Sequence, residues 1–379
     1  MKVIAFYLPQ FHDIPENDEW WGKGFTEWTN LKKAKPLYDG HYQPRVPLNK
    51  NYYNLLNNDV KRWQAKIAKE HGIYGFCYYH YWFSGKMLLE KPMEQMLADP
   101  SIDIPFCICW ANDTWTRAWV GEKKILIEQK YGDKAEWVNH FNYLLQFFKD
   151  SRYIKENNKP LLVIYKPENI DCLEDMLKCW NELSIIHGFD GIDFAYQTDG
   201  YNKLPNKKRN DSLFRYDIEF EPGLTRELNI NHNIKVLRMF KRALTNFTQK
   251  VFKSNVFKFV GSGIKGGNGV MSYDDIWEKL LSRTPRSEKS VAGAFVDWDN
   301  TPRLGMNGTV IQGASPEKFK GYFSRQVERV RKNIYKNDYI FIFAWNEWAE
   351  SGYLEPDEKF GYGYLEAIKE VLSRNEENK

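Results

Sequence analysis

Hydrophobic positions along this chain fall into two alternating patterns. Short apolar runs rich in β-branched and aromatic residues occur at 3–8, 73–82, 104–110, 161–166, 192–197, 215–220, 291–298 and 339–345. Most are nearly continuous, as expected of strands buried on both faces in a parallel sheet covered by helices. Between them the apolar spacing becomes helical. Residues 60–71 place Trp63, Ile67 and Ala68 on one face, and 134–149 gather Trp137, Phe141, Leu144, Leu145 and Phe148. Segments 173–186, 273–281, 316–334 and 362–372 continue the alternation, which predicts either a closed barrel or a large doubly wound sheet. A length of 379 residues suits two or three average domains, but barrels with long loops reach it as one unit.

After the sixth strand comes an insertion of about residues 225–270. Within it, 231–260 carries Leu237, Phe240, Leu244, Phe247 and Val251 at steps of three and four, an amphipathic helix. Lys235, Arg238, Lys241, Arg242, Lys250, Lys253 and Lys258 accompany them with no acidic residue. Such a helix docks on an anionic membrane surface, or packs on the barrel with its basic face in water. Residues 375–379 are expected to fray.

The polar residues of interest sit at the C-terminal ends of the strands, where parallel barrels build their sites. There the sequence sets Tyr78 to Trp82, Trp110 with Asn112 and Asp113, Tyr165 and Lys166, Gln197 to Asp199, Glu219 and Glu221, Asp297 to Asn300, and Trp345 to Glu350. Rings mixed with carboxylates and amides suit a sugar, whose C–H faces stack while its hydroxyls hydrogen-bond. The composition agrees: 14 Trp, 23 Tyr and 24 Phe are more flat surface than a core needs.

Other chemistry is narrowed by composition. A net charge of +4 is too mild to suggest nucleic acid as a partner. The five cysteines (Cys77, Cys107, Cys109, Cys172 and Cys179) follow no paired spacing and read as reduced, mostly buried thiols, with Cys107 and Cys109 on one strand face. Seven histidines without paired spacing give no zinc pattern, so neither metal nor cofactor is expected. The N-terminal apolar run has strand length and ends at Pro9, and no stretch of eighteen apolar residues occurs, so the cytoplasm is the expected compartment. Oligomeric state is left open.

The sharpest motif follows the last strand. Glu347 and Glu350 stand three apart between Trp345 and Trp348, and glycosidic cleavage commonly needs one protonated and one ionised carboxyl. Spacing alone leaves salt bridges at a loop mouth an equal alternative. Asp297-Trp298-Asp299 has the form of an Asp-x-Asp metal and nucleotide-sugar element, but at the seventh strand of eight rather than inside a Rossmann-like half. Arg303 could clamp a sugar or close a loop salt bridge. His12 and His80, at the ends of strands one and two, read as sugar hydrogen-bonders or packed side chains.

The opening Ile4 to His12, the stretch Asn17 to Trp28, Gly75 to Phe83, Asp297 to Arg303, and Ala344 to Glu350 with Leu354-Glu355-Pro356 together resemble the WbsX family. That family is similar to glycoside hydrolase family 99, the endo-α-mannosidases and endo-mannanases. The resemblance runs from residue 4 to about 365. It implies one domain over 1–379, a (β/α)8 TIM barrel with long loops and the basic helical insertion after strand six. It also implies a retaining, metal-independent mechanism through a 1,2-anhydro sugar. By resemblance Glu347 deprotonates the sugar 2-hydroxyl and Glu350 is the general acid, then base. The substrate-binding set expected on these grounds comprises Tyr7, His12, Trp20, Trp21, Glu27, Trp28, Tyr78, His80, Tyr81, Trp82, Trp110, Asn112, Trp115, Asp297, Trp298, Asp299, Arg303, Asn346 and Trp348. Two departures from the family pattern stand out. Asp113 and Thr114 replace Glu and Asn in Trp-Ala-Asn-Glu-Asn-Trp-Thr, and Ser351 replaces a common glycine.

The expected activity is cleavage, or transfer, at an internal glycosidic bond of a bacterial polysaccharide or its lipid-linked precursor. A glycosyltransferase of O-antigen or capsule assembly and a non-catalytic saccharide-binding barrel are the alternatives. Peripheral membrane contact would run through 231–260.

Overall fold

The computed structural model describes residues 1–116, 124–199, 210–228 and 269–373; the basic segment 231–260 and the terminal 375–379 lie outside them. Eight parallel strands are present: β1 (Lys2–Tyr7), β2 (Gly75–Phe83), β3 (Phe106–Trp110), β4 (Lys159–Ile164), β5 (Asp193–Thr198), β6 (Tyr216–Glu219), β7 (Ser290–Phe295) and β8 (Tyr339–Phe343). Each lies on one of the eight apolar runs. Every strand pairs with the next in chain order, and β8 pairs back onto β1, with Lys2 opposite Tyr339 and Ala5 opposite Ile342. The sheet therefore has no edge. A doubly wound sheet would leave two, so the architecture is the closed (β/α)8 barrel.

The helices packed around it include Asn58–Glu70, Lys91–Ala98, Lys134–Phe148, Leu173–Ile186, Tyr273–Ser282, Pro316–Arg331 and Gly363–Ser373. Several begin at side-chain caps. Asn57 accepts from the Asp59 amide, Asp133 from Ala135 and Glu136, and Ser315 from Lys318, satisfying donors that the first turn leaves free. Among the described residues, the β5–β6 connection carries only the 3-10 turn Asp211–Leu213. No described helix is long and apolar enough to cross a membrane.

Strand pleating divides the side chains into two sets. Phe6, Tyr79, Phe220, Phe341 and Phe343 pack ring on ring inside the barrel, with Phe6 lying 5.3–5.7 Å from three of these partners. Tyr7 and Tyr78 lie on the outer face, 4.3 Å apart, and the Tyr7 hydroxyl donates to Gln64 of the Asn58–Glu70 helix at 2.6 Å. Cys77 is in register with Cys107, and its thiol meets those of Cys107 and Cys109. All five cysteines are unpaired, and only Cys172 is more than marginally exposed.

Gly293 on β7 shows how closely the barrel packs. A methyl group there would stand 1.8 Å from the Glu219 carbonyl of β6, while its own carbonyl accepts from Gln326 at 2.8 Å. Gly293→Ala is therefore expected to destabilise the protein by about 1–3 kcal/mol through forced backbone displacement. Urea unfolding showing an unchanged free energy would refute that close approach.

Candidate active site

The chain leaves β8 and at once reverses. Asn346–Glu347 pairs antiparallel with Gly352–Tyr353, and the 3-10 turn Trp348–Glu350 joins them. In a 3-10 turn, residues three apart eclipse one another. Glu347 and Glu350 therefore face the same way. Trp348 takes the opposite side, stacked on Tyr353 at 3.8 Å and packed against Trp28 at 5.5 Å. Ser351 closes the turn in the left-handed region (φ 57°), which explains the glycine common there; its hydroxyl accepts from Gln43 at 3.2 Å.

Both carboxylates converge on Arg303. Its Nη1 donates to Glu350 at 2.5 Å, and its Nη2 donates to Glu347 at 3.1 Å and to Glu27 at 2.7 Å. Glu27 opens the helix Glu27–Lys33 and also accepts from the Ala349 amide at 2.9 Å, so it braces both the arginine and the turn. Arg303 is aimed by Asp299, whose Oδ1 accepts from the Thr301 amide and hydroxyl at the start of the helix Thr301–Leu304. The other Asp299 oxygen accepts from Gln43 at 2.6 Å and contacts His41 at 2.8 Å. Asp297 turns instead to Arg45 at 2.8 Å. The Asp-x-Asp pair is thus committed to protein partners and does not present two free carboxylates to one ion. Among the described residues no group of three or more His, Cys, Asp or Glu side chains is arranged to hold a metal.

Three carboxylates against one guanidinium, nearly out of water, cannot all ionise cheaply. Burial pushes Glu347 up to about 8, opposed by Arg303 and reinforced by the charges of Glu350 and Glu27. Burial likewise raises Glu350, again against Arg303. The two titrate as a unit. Tyr79, Tyr81 and Tyr165 stay protonated: burial raises all three, Glu347 adds to the effect at Tyr79 and Tyr81, and Glu350 does so at Tyr165. These hydroxyls stay neutral beside the buried glutamates, whose charge they feel. Arg226 lies 4.7 Å over the Trp298 ring, and its charge reaches Glu350.

The structure brings Glu27, Tyr81, Trp298, Arg303, Glu347 and Glu350 together, and Trp115 extends this group by packing on Tyr81 at 5.0 Å. Trp20 packs on Trp115, and Trp21 on Phe25, both half-buried. The other expected site residues do not join this cluster. Tyr7, Tyr78, His80, Trp82 and Trp110 occupy the outward pleat. His80 meets His140 at 3.0 Å, Trp82 stacks on His140 at 4.5 Å and donates to Glu136, and Trp110 packs on Trp180 at 5.8 Å. Asn112 is spent tying β3 to β4 through the Lys166 amide and carbonyl, and Asn346 ties β8 to β1 through those of Leu8. Trp28 and Trp348 form a layer behind the turn. His12 is buried in the loop after β1, with its pKa lowered by that burial.

Tyr79, Tyr165 and Glu355 fall within the strand-end runs and motifs read from the sequence but not in the expected site set, and Arg226 falls in neither. The parity of β2 could have found Tyr79, because Tyr79 and Tyr81 share the face of buried Cys77. Glu355 is a buried carboxylate accepting from four neutral donors: Gln64 at 2.6 Å, Trp345 at 3.1 Å, Trp348 at 2.7 Å and Tyr53 at 2.7 Å. Burial pushes it up to about 7. It fastens the two indoles flanking Glu347 to the first helical segment.

Comparison with known proteins places this geometry. The family model described as "Glycosyltransferase WbsX" matches residues 3–368. Proteins named "Uncharacterized protein WxcX" from two strains of Xanthomonas campestris pv. campestris are 34% identical over 376 residues, covering 98% of this chain. The chain spans about half the length of these curated relatives, 50% of each. The endo-alpha-mannosidase of glycoside hydrolase family 99 from Bacteroides thetaiotaomicron superposes with a TM-score of 0.55 at 12% identity, over 99% of this chain and 97% of that one. A solved glycoside hydrolase-like protein gives 0.56 at 12% identity, over 98% and 93%. These likenesses show the same fold.

The raised Glu347 carries a signature in stability. A carboxyl lifted from 4.5 to about 8 by folding gives stability that is complete below 4.5 and lost as pH rises through about 8. Glu347→Gln cannot ionise, so its melting temperature relative to the parent is expected to rise from pH 5 to pH 9. Calorimetry showing a flat or falling difference would contradict the assignment.

Proposed function

The chain belongs to the WbsX family, and on that footing we propose that it is a carbohydrate-active enzyme acting with retention on an internal glycosidic bond of a bacterial polysaccharide or its lipid-linked precursor. The observation carrying this reading is the pair Glu347 and Glu350, one turn apart and both held by Arg303. Burial raises both members, and the charges of Glu350 and Glu27 raise Glu347 further, so the pair retains a proton near neutrality, the stock that acid–base cleavage requires.

In the proposed reaction Glu347 takes the proton of the sugar 2-hydroxyl. That oxygen attacks the anomeric carbon, the glycosidic bond breaks, and the leaving oxygen receives the proton of Glu350. Water, or an acceptor hydroxyl, then opens the 1,2-anhydro ring at the anomeric carbon, giving its proton to Glu350 while Glu347 returns its proton to the 2-oxygen. Two inversions leave the configuration retained. Arg303 must release Glu350 as the leaving oxygen arrives, because a carboxyl in a 2.5 Å ion pair is a poor acid. Tyr81 and Trp298 offer ring surface, and Glu27 keeps the guanidinium within reach of both glutamates.

The family description favours transfer as the second reading. Hydrolysis and transfer share the first half-reaction and differ in whether water or a sugar hydroxyl completes the second. Manganese-dependent binding of a nucleotide sugar, lost in Asp297→Ala and Asp299→Ala, would instead indicate a nucleotide-sugar transferase.

Glu350→Gln is expected to lower turnover of a defined oligosaccharide by at least about 100-fold. A variant retaining most activity rejects the general-acid role, and an inverted anomeric product, read by proton NMR, rejects the anhydro route. The rate should also fall as pH rises through about 8, where the pair loses its shared proton. A rate still climbing at pH 9 contradicts the shared-proton account.

A further inference from the structure

A second recess lies on the upper flank of the barrel, between the helix Asn58–Glu70 and the start of the helix Gly363–Ser373. Its volume is about 540 Å3, within the range of small-ligand sites and unlike a flat protein interface. Tyr52, Trp63 and Tyr362 contribute half-buried rings, and the exposed Asn49, Lys50 and Asn51 contribute amide and ammonium groups. Among the described residues, the Trp63 indole N–H and the side chains of Asn49, Lys50 and Asn51 have no hydrogen-bond or ion-pair partner. Asn49 and Lys50 both adopt left-handed backbone, φ 55° and 54°. A lysine bears that conformation at a cost and keeps it only where its surroundings impose it. Here they do: the Leu48 amide donates to Pro356 at 2.9 Å and the Lys50 amide to Pro47 at 2.8 Å.

We propose that this recess is a second saccharide-binding site, holding a sugar unit of the polymer outside the catalytic cluster. A sugar ring offers C–H faces for the three aromatic side chains and a rim of hydroxyls for the amides, the ammonium and the indole N–H. A purely apolar partner would strand those donors, and a single lysine is too little charge for an anionic membrane. None of Glu27, Arg303, Glu347 and Glu350 lines the recess. Trp348, packed between Trp28 and Tyr353, separates the two sites, and Trp348 and Glu355 form the recess floor. An occupant would therefore rest against the far side of the turn that carries both catalytic glutamates. The proposal depends on the reading that the substrate is a saccharide, but not on the bond-breaking mechanism.

The test is affinity electrophoresis of Glu350→Gln protein in gels cast with yeast α-mannan and, separately, with purified bacterial O-polysaccharides and capsular polysaccharides. Retention by at least one polymer is expected. Trp63→Ala on that background should weaken retention about tenfold in apparent Kd, as loss of a central aromatic contact does. Lys50→Ala, a surface change that leaves the melting temperature in place, should weaken it about threefold. Retention unchanged by both substitutions, or no retention of folded protein in any gel, overturns the proposal. If Glu350→Gln still turns substrate over while Trp63→Ala and Lys50→Ala weaken retention, the cleavage mechanism fails and the second site stands.

Discussion

One guanidinium shared among three buried carboxylates is the constraint around which this barrel's upper face is organised. Removing charges from water is costly unless they are paired with good geometry. Arg303 meets Glu27, Glu347 and Glu350 within 3.1 Å. It still leaves more negative than positive charge, so the cluster is satisfied only by retaining a proton. The chemistry proposed for the site and the cost of building it thus have the same origin, a charge imbalance that the fold imposes and water cannot relieve.

Much of the surrounding polar structure holds that imbalance in place. Asp299 sets the short helix bearing Arg303, Glu27 braces the turn from the start of the helix Glu27–Lys33, and Glu355 ties Trp345 and Trp348 to Tyr53 and Gln64. Each is a buried carboxylate whose partners come from a different part of the chain. All three stand in the motifs read from the sequence, though Glu355 was given no role there, and all three act on the site through other residues.

The fold was legible because strands buried on both faces must be apolar nearly throughout, and the eight runs meet that demand. What the sequence left open was closure, which the pairing of β8 with β1 resolves. The site was legible in part. Glu347 and Glu350 could be picked from spacing and resemblance, and their common orientation follows from the turn. The aromatic set was read too broadly, because a run such as Tyr78 to Trp82 lists both faces of one strand. Tyr79 and Tyr81 face inward, while Tyr78, His80 and Trp82 serve the helices. Asn112, Asn346 and Asp297 were chosen as polar residues at strand ends, but strand ends also need their backbones tied together, which Asn112 and Asn346 do, while Asp297 pairs with Arg45. Residue identity alone does not separate the two demands. Arg226 carried no signal, since it follows β6 at the edge of the long insertion.

The hairpin of β8 has a consequence for how such a protein can diverge. Its two carboxylates are separated by a single turn with about three residues per revolution, so one inserted or deleted residue would swing the second by about 120°. Gly352 removes the remaining slack, since a side chain there would collide with the Phe343 ring. The spacing of the pair is therefore fixed by the turn itself. Loops and rings around it can change in length, but the turn between the two carboxylates cannot without parting them.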